Sequence, residues 1–196
     1  GCANVSDTLT YRYAPGVLMN NNEPLTVCDT SFYDAGGGTG VTGSSFTRTF
    51  TPASPGQKLK LTLYGLDLSN FATLFVFDGP FVTSPRITAV SNNSNGTTIQ
   101  EFISSHESGI LTIQFTSGSF ITQGWYAGLT CHIPEVYRTV ADGNWTSAAT
   151  WERKAPGGNF VPALRSPQKG DDTVFVRHNV ILSTSTPMDQ VIVQEG

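Results

Sequence analysis

The chain has 196 residues and a formal net charge of −4, and Lys, Arg, Asp and Glu make up 13% of it. That charged fraction is about half of the ~25% usual for soluble domains, and 54 Ser, Thr and Asn residues replace the missing charges. The acidic balance argues against nucleic-acid binding, and no apolar stretch is long enough to span a membrane. With 31 Gly and Pro residues and few strong helix formers, the composition predicts an all-β protein rich in tight turns.

Short strands separated by turn-rich loops are predicted along most of the chain. Residues 1–27 are interpreted as a lead-in segment. After them, apolar residues alternate or run together in seven short stretches, which is typical of a two-sheet sandwich. The predicted strands are Phe46–Thr51, Gln57–Tyr64, Thr73–Phe77, Arg86–Val90, Thr98–Ile103, Ile110–Phe115 and Trp125–Cys131.

Residues 132–196 differ in character and are predicted to begin a second, small β domain. A Pro- and Gly-rich loop over 156–167 precedes two predicted strands, Thr173–Leu182 and Gln190–Gln194. So few strands make only a thin core. Because the sequence ends directly after a strand with nothing downstream to pair with it, we expect a truncated domain whose edge is exposed at Gln190–Gln194.

Two motifs within residues 28–131 resemble a known family. The first is Cys28-Asp29-Thr30-Ser31-Phe32-Tyr33-Asp34-Ala35-Gly36-Gly37, and the second is Leu74-Phe75-Val76-Phe77-Asp78-Gly79. Together with Gly124-Trp125 and Cys131, they resemble a CUB domain of the form found in exported proteins of Bacteroidetes-type bacteria. The resemblance covers residues 28–131 and implies a jelly-roll sandwich.

The cysteine count leaves the disulfide pairing open. Three cysteines indicate one disulfide and one remaining thiol. The CUB resemblance implies that Cys28 pairs with Cys131, which would join the start of the module to its end. The alternative is a local Cys2–Cys28 disulfide, which would make the lead-in segment an integral part of the sandwich.

The tail also resembles a recurring segment, one that opens right-handed β-solenoids in large secreted bacterial proteins. Its pattern is Gly143-x-Trp145, then Ala149-Thr150-Trp151, then Gly170-Asp171-Asp172. In tandem with the CUB-like region, it resembles cargo of a type IX secretion system, which implies display on a bacterial cell surface. Thr8 and Thr173 stand in Asp-Thr-apolar triplets that match the O-glycosylation pattern of those bacteria, so both are candidate glycosylation sites.

Three aspartates are candidate metal ligands: Asp34, Asp67 and Asp78. Their oxygens would suit Ca²⁺, although Asp34 and Asp78 also have a simpler interpretation as turn caps before glycines. Calcium-binding CUB domains use three acidic positions, which correspond here to Asp67, Ala72 and Gly118. Because two of the three carboxylates are missing, we predict no tight calcium site there and no cofactor.

Three tryptophans are candidates for stacking against sugar rings: Trp125, Trp145 and Trp151. The alternative is that they are buried in the two cores, as Trp usually is. The three histidines are scattered without a partner at metal-ligand spacing, and no nucleophile motif or paired carboxylates accompany them. We therefore expect no catalysis.

These patterns predict a non-catalytic binding or adhesion module of a secreted or surface-displayed bacterial protein, monomeric as a fragment. It would present loops to a glycan or protein partner at the cell surface, with no role for nucleic acid or a membrane span. Two alternatives stay open. One is an accessory domain of a secreted peptidase or glycoside hydrolase whose catalytic domain follows residue 196, and the other is a spacer that holds the tail away from the surface.

Overall fold

The computed structural model describes residues 16–20, 22–35, 45–68, 72–91, 99–116, 124–186, 188 and 190–194, with the side chains of residues 65–67 excepted. The helical part of these ranges is a single 3-10 turn at Ala148–Thr150. Ten strands form the sandwich, defined here as residues 17–132: β1 Val17–Leu18, β2 Leu25–Val27, β3 Thr30–Tyr33, β4 Ser45–Pro52, β5 Lys58–Asp67, β6 Thr73–Asp78, β7 Arg86–Ser91, β8 Gln100–Ile103, β9 Leu111–Thr116 and β10 Gly124–His132. Seven more form the tail unit, residues 136–193: β11 Val136–Thr139, β12 Gly143–Asn144, β13 Trp151–Lys154, β14 Val161–Pro162, β15 Thr173–Val176, β16 Val180–Ile181 and β17 Gln190–Val193.

The sandwich consists of two five-stranded sheets. Their strand orders are β1-β3-β10-β5-β8 and β2-β4-β9-β6-β7, so the chain passes from one sheet to the other at most connections. The predicted all-β sandwich is confirmed. In the described part of the chain, no helix is long and apolar enough to cross a membrane.

The core follows the period of two that the sequence shows. On β5, Leu59, Leu61 and Leu63 all point inward and are essentially inaccessible to solvent. Burying each of them fully stabilises the fold by about 1.5–3 kcal/mol. Trp125 of β10 packs edge-on against Phe32 of β3, with ring centroids 4.8 Å apart.

Part of the predicted lead-in segment belongs to the sandwich. Val17–Leu18 pairs with β3 and Leu25–Val27 pairs with β4, in both cases in parallel. The buried Arg48 guanidinium fastens these strands, because it donates to the Leu18 carbonyl at 2.6 Å and to the Glu23 carbonyl at 3.0 Å. The sandwich therefore begins before the first disulfide cysteine.

A disulfide ties the two ends of the sandwich together. Cys28 follows β2, Cys131 lies on β10, and their Cα atoms are 5.2 Å apart in the bonded pair. This is the pairing that the CUB resemblance implies. Cys2 lies outside the described residues.

The tail unit stacks successive strands in parallel. β11 pairs with β15 and β15 with β17, which places Tyr137, Val174 and Val191 in one column. β12 pairs with β16 through Gly143 and Val180. The spacing from Tyr137 to Gly143 equals that from Val174 to Val180, six residues in each case, so two consecutive segments stack in the same register.

The side chains in this column are buried on β11 and β15 but exposed on the last strand, β17. Tyr137 and Val174 are fully buried, whereas Val191 is 42% exposed and Val193 is 78% exposed. Strand β17 pairs with β15 on one side and forms the edge of the described sheet on the other. The structure thus places Gln190–Val193 at the expected sheet edge, with β15 as its hydrogen-bonded neighbour.

A buried carboxylate joins the tail unit to the sandwich. The Asp171 side chain is inaccessible to solvent and receives two hydrogen bonds from Arg165, at 2.7 and 2.8 Å, and one from the Gln168 N–H at 2.8 Å. Nε2 of His132, at the end of β10, lies 3.1 Å from its Oδ1. Burial acts to raise the pKa of Asp171, but these hydrogen bonds outweigh it and leave the pKa below its ordinary value.

Gly170, the residue before Asp171, allows the tail unit to lie close to the sandwich. Gly170 has a φ of +90°, and a Cβ there would collide with Cγ2 of Ile103 on β8. A residue without a side chain is thus required at this point. We call Gly170, Asp171, Arg165 and His132 the clasp.

Candidate functional site

Two exposed tyrosines stand on the outer face of the β1-β3-β10-β5-β8 sheet. On β10, Ala127 and Leu129 point into the core, so Tyr126 and Gly128 point outward. The β5–β10 register shifts between Tyr126 and Ala127, which leaves Tyr64 as an extra residue on β5. A bulge of this kind redirects side chains. Tyr64 and Tyr126 are 42% and 48% exposed.

The two rings form one surface. Their centroids are 5.7 Å apart and their planes differ by 25°, an offset-stacked arrangement. A Cβ built on Gly128 would lie 3.1 Å from both Cε2 and Oη of Tyr64, so the ring lies across the bare backbone of that glycine. Tyr33 of β3 is the register partner of Tyr126 on its other side. We call Tyr33, Tyr64, Tyr126 and Gly128 the tyrosine face.

Ser31, Thr62 and one ion pair lie beside the tyrosine face, and Leu18 of β1 is the register partner of Tyr33. Thr62 is 5% exposed. Gly128 is the register partner of Thr62 on β5 and of Ser31 on β3. The Lys60 ammonium lies 2.6 Å from a Glu101 carboxylate oxygen, and the Thr62 hydroxyl donates to the same oxygen at 3.4 Å. The charges of Lys60 and Glu101 are therefore paired with each other.

The three tryptophans proposed for sugar stacking are buried. Trp125 and Trp145 are each 4% exposed and Trp151 is 1% exposed. Trp125 packs in the sandwich core, while Trp145 and Trp151 pack edge-on in the tail unit, where the Trp151 indole N–H donates to the Trp145 carbonyl at 2.9 Å. These three tryptophans therefore cannot stack against a sugar ring, because their ring faces are covered by protein.

Asp78 is a buried carboxylate that fastens a neighbouring loop. Its Oδ1 accepts the Ser104 hydroxyl at 2.7 Å and the backbone N–H groups of Ser105 and His106 at 3.0 Å each, and its Oδ2 accepts the Ser105 hydroxyl. Burial acts to raise the pKa of Asp78, but the hydrogen bonds prevail and lower it. The loop that Asp78 caps is residues 104–106 rather than the adjacent Gly79.

Asp34 likewise serves the fold. It is fully buried and its Oδ2 accepts the Trp125 N–H at 3.0 Å. A side chain at Gly124, where φ is +97°, would collide with this carboxylate. The Asp67 side chain lies outside the described residues. Within the described ranges, no three His, Cys, Asp or Glu side chains come together in a group that could hold a metal ion.

Thr8 and Thr173 are the two candidate glycosylation sites. Thr8 lies outside the described residues. Thr173 begins β15, and its hydroxyl donates to Gln190 at 2.7 Å. That hydrogen bond ties β15 to the edge strand β17.

The tyrosine face is the feature that the sequence patterns missed. Tyr64 closes a predicted strand and Tyr126 lies in another, yet neither was given a role. A usable signal was present, because in each strand a tyrosine occupies the polar side of the alternation. What the sequence could not show is that β5 and β10 are neighbours.

The comparisons with known proteins add little to this description. No family model matches the sequence, and no curated protein matches it. Among solved structures, the full extracellular region of zebrafish Gpr126/Adgrg6 is similar over 58% of this chain and 15% of that chain, with 15% sequence identity and a TM-score of 0.47. A likeness this weak carries no argument about function.

Proposed function

We propose that the chain is a non-catalytic binding module that contacts a partner outside the cell through the tyrosine face. The observation that carries the proposal is the exposed, stacked pair of Tyr64 and Tyr126. Tyrosine supplies a large contact area at a low cost in conformational entropy, which makes exposed aromatic clusters favoured contact points in recognition.

The buried acidic groups support a binding role rather than catalysis. Asp34, Asp78 and Asp171 each accept hydrogen bonds that hold loops or units in place. A carboxylate engaged in this way lacks the access to a substrate that proton transfer requires.

An extracellular location is supported by the covalent chemistry of the chain. The Cys28–Cys131 disulfide suits an oxidising compartment. The CUB-like and solenoid-like motifs extend the proposal to a secreted protein on a bacterial cell surface, because in tandem they resemble type IX cargo. The partner on that surface would be a glycan or a protein. An accessory domain of a secreted enzyme would use the same face.

The test is a binding screen with matched variants. The wild-type chain is applied to an array that carries both oligosaccharides and purified surface proteins, beside Tyr64→Ala, Tyr126→Ala and the control Phe81→Ala. Phe81 is an equally aromatic residue, 66% exposed, that lies between β6 and β7 in the other sheet. We expect Tyr64→Ala and Tyr126→Ala to weaken binding while Phe81→Ala binds as the wild type does.

Binding that is indifferent to both tyrosines would contradict the proposal. Loss of binding in Phe81→Ala alone would move the contact surface to the turn after β6. Absence of binding to either class of probe would favour the spacer interpretation.

A further inference from the structure

We infer that the tyrosine face takes a neutral glycan chain, an inference that rests on the proposed function and names its ligand class. The geometry of Tyr64 suits a sugar ring. Its ring lies across Gly128 and remains 42% exposed. A ring laid against the sheet in this way offers a flat apolar surface, which matches the C–H face of a sugar ring.

The polar chemistry beside the rings also suits a sugar. The outward position beside Gly128 on β3 carries the hydroxyl of the partly exposed Ser31, whereas Thr62 on β5 is 5% exposed and donates to Glu101. Hydroxyls donate and accept hydrogen bonds equally well, and a sugar presents the same pair of functions. An aromatic floor beside the Ser31 hydroxyl is therefore complementary to a polyhydroxylated ligand.

Charge complementarity decides between a neutral and a charged ligand. Lys60 and Glu101 pair with each other at 2.6 Å beside the tyrosine face. An anionic polysaccharide would have to displace Glu101 from Lys60, and a cationic ligand would have to displace Lys60 from Glu101. A neutral chain leaves the pair intact.

A protein partner is the competing ligand, and the described surface favours it less. A standard protein interface buries about 800 Å² on each side around an apolar centre. Beside the tyrosines, the described outward positions hold a glycine, Ser31, Thr62 and an ion pair, together with the apolar Leu18, which is the register partner of Tyr33. Ile99, which is 59% exposed, directly precedes β8 on the other side of β5. Polar groups thus interrupt the apolar part of this surface.

The same tyrosines could also serve stability alone. Aromatic cross-strand pairs stabilise sheets, and an aromatic ring over a glycine compensates for the missing side chain. This alternative makes a distinct prediction, because alanine variants would then unfold at a lower temperature without any change in ligand affinity.

The experiment is affinity electrophoresis of the whole chain in native gels with soluble polysaccharides. The neutral probes are mixed-linkage β-glucan, galactomannan and mannan, and the anionic probes are alginate and polygalacturonate. We expect at least one neutral probe to retard the wild-type chain and the anionic probes to leave its mobility unchanged. Tyr64→Ala and Tyr126→Ala should each weaken the affinity about tenfold, the loss of one favourable ring contact.

Two control variants make the result specific. Tyr64→Phe keeps the ring and should bind within a few-fold of the wild type, and Phe81→Ala should bind as the wild type does. Each variant is also unfolded thermally, so that lost affinity is not mistaken for lost structure.

Retardation by none of the neutral probes would overturn the inference, as would retardation that is unchanged in both tyrosine variants. Tyrosine-dependent binding to a protein on the array, without binding to a neutral polysaccharide, would overturn the glycan assignment and leave the proposed function standing. Binding that never depends on the tyrosines would overturn both.

Discussion

At the scale of single residues, buried carboxylates hold loops in place, and the sequence predicts their capping chemistry but not their partners. Asp78 precedes a glycine, and its position predicted a cap for that turn. The structure instead shows it holding the loop of residues 104–106, which is 26 or more residues away along the chain. A local pattern identified the residue type and its capping chemistry, but the partner depends on which loops the sandwich brings together.

Replacing Asp78 by Asn should destabilise the sandwich by about 2 kcal/mol, because an amide N–H₂ would then face groups that are themselves donors. For a chain of this size that corresponds to a melting temperature lower by about 4–8 °C. The matched control is Asp172→Asn at an exposed position, where we expect a change within about 0.5 kcal/mol. Equal melting temperatures for the two variants would show that the hydrogen bonds to Asp78 contribute nothing.

The pH dependence of stability follows from the same carboxylates. The pKa values of Asp78 and Asp171 are lowered in the folded state from the ordinary value of 3.8. Below that value the unfolded chain binds protons more readily than the folded chain, so stability is retained above about pH 4 and falls as the pH decreases further. Thermal unfolding between pH 7 and pH 3 measures this, and Asp78→Asn should show a shallower decline than the wild type. An equally steep decline in that variant would assign the acid sensitivity to other groups.

At the scale of secondary-structure elements, the strands with a clear period were predictable. The alternation of leucines and polar residues on β5 identifies both the strand and its buried face, because side chains alternate across a sheet. The short strands β1 and β2 were not predictable as parts of the sandwich. They are two and three residues long and pair in parallel with β3 and β4, so no local period marks them.

The candidate site was predicted less well than the strands, for a related reason. Tryptophan was favoured because its ring is the largest aromatic surface, yet the same area makes it the residue that gains most from burial. All three tryptophans serve the two cores. The exposed ring surface is built by Tyr64 and Tyr126, which are 62 positions apart in sequence and meet only because β5 and β10 pair.

At the scale of the whole molecule, the clasp determines how the sandwich and the tail unit are joined. A glycine–aspartate pair, part of the motif that resembles a solenoid opening, places Gly170 against Ile103 and Asp171 against His132. Arg165 neutralises the buried carboxylate through two hydrogen bonds, which offsets much of the cost of desolvating it.

Substituting Gly170 by Ala should release this contact. The matched control is Gly157→Ala, because Gly157 has a φ of +74° but no atom within 4 Å of a Cβ placed there. Both variants share the backbone strain of a positive φ, about 1–2 kcal/mol, and only Gly170→Ala adds the collision with Ile103. Limited proteolysis should cut the linker residues 133–135 faster in Gly170→Ala than in Gly157→Ala. Equal cleavage rates would show that the clasp does not hold the two units together.

Amide chemical-shift mapping shows directly whether a ligand contacts the tyrosine face. An isotopically labelled chain is titrated with an oligosaccharide of the neutral polysaccharide that retards it most. We expect the largest shifts at Tyr64, Tyr126 and Gly128, and small ones in the turn that carries Phe81. Shifts concentrated in that turn or in the tail unit, with the tyrosine face unchanged, would contradict this expectation.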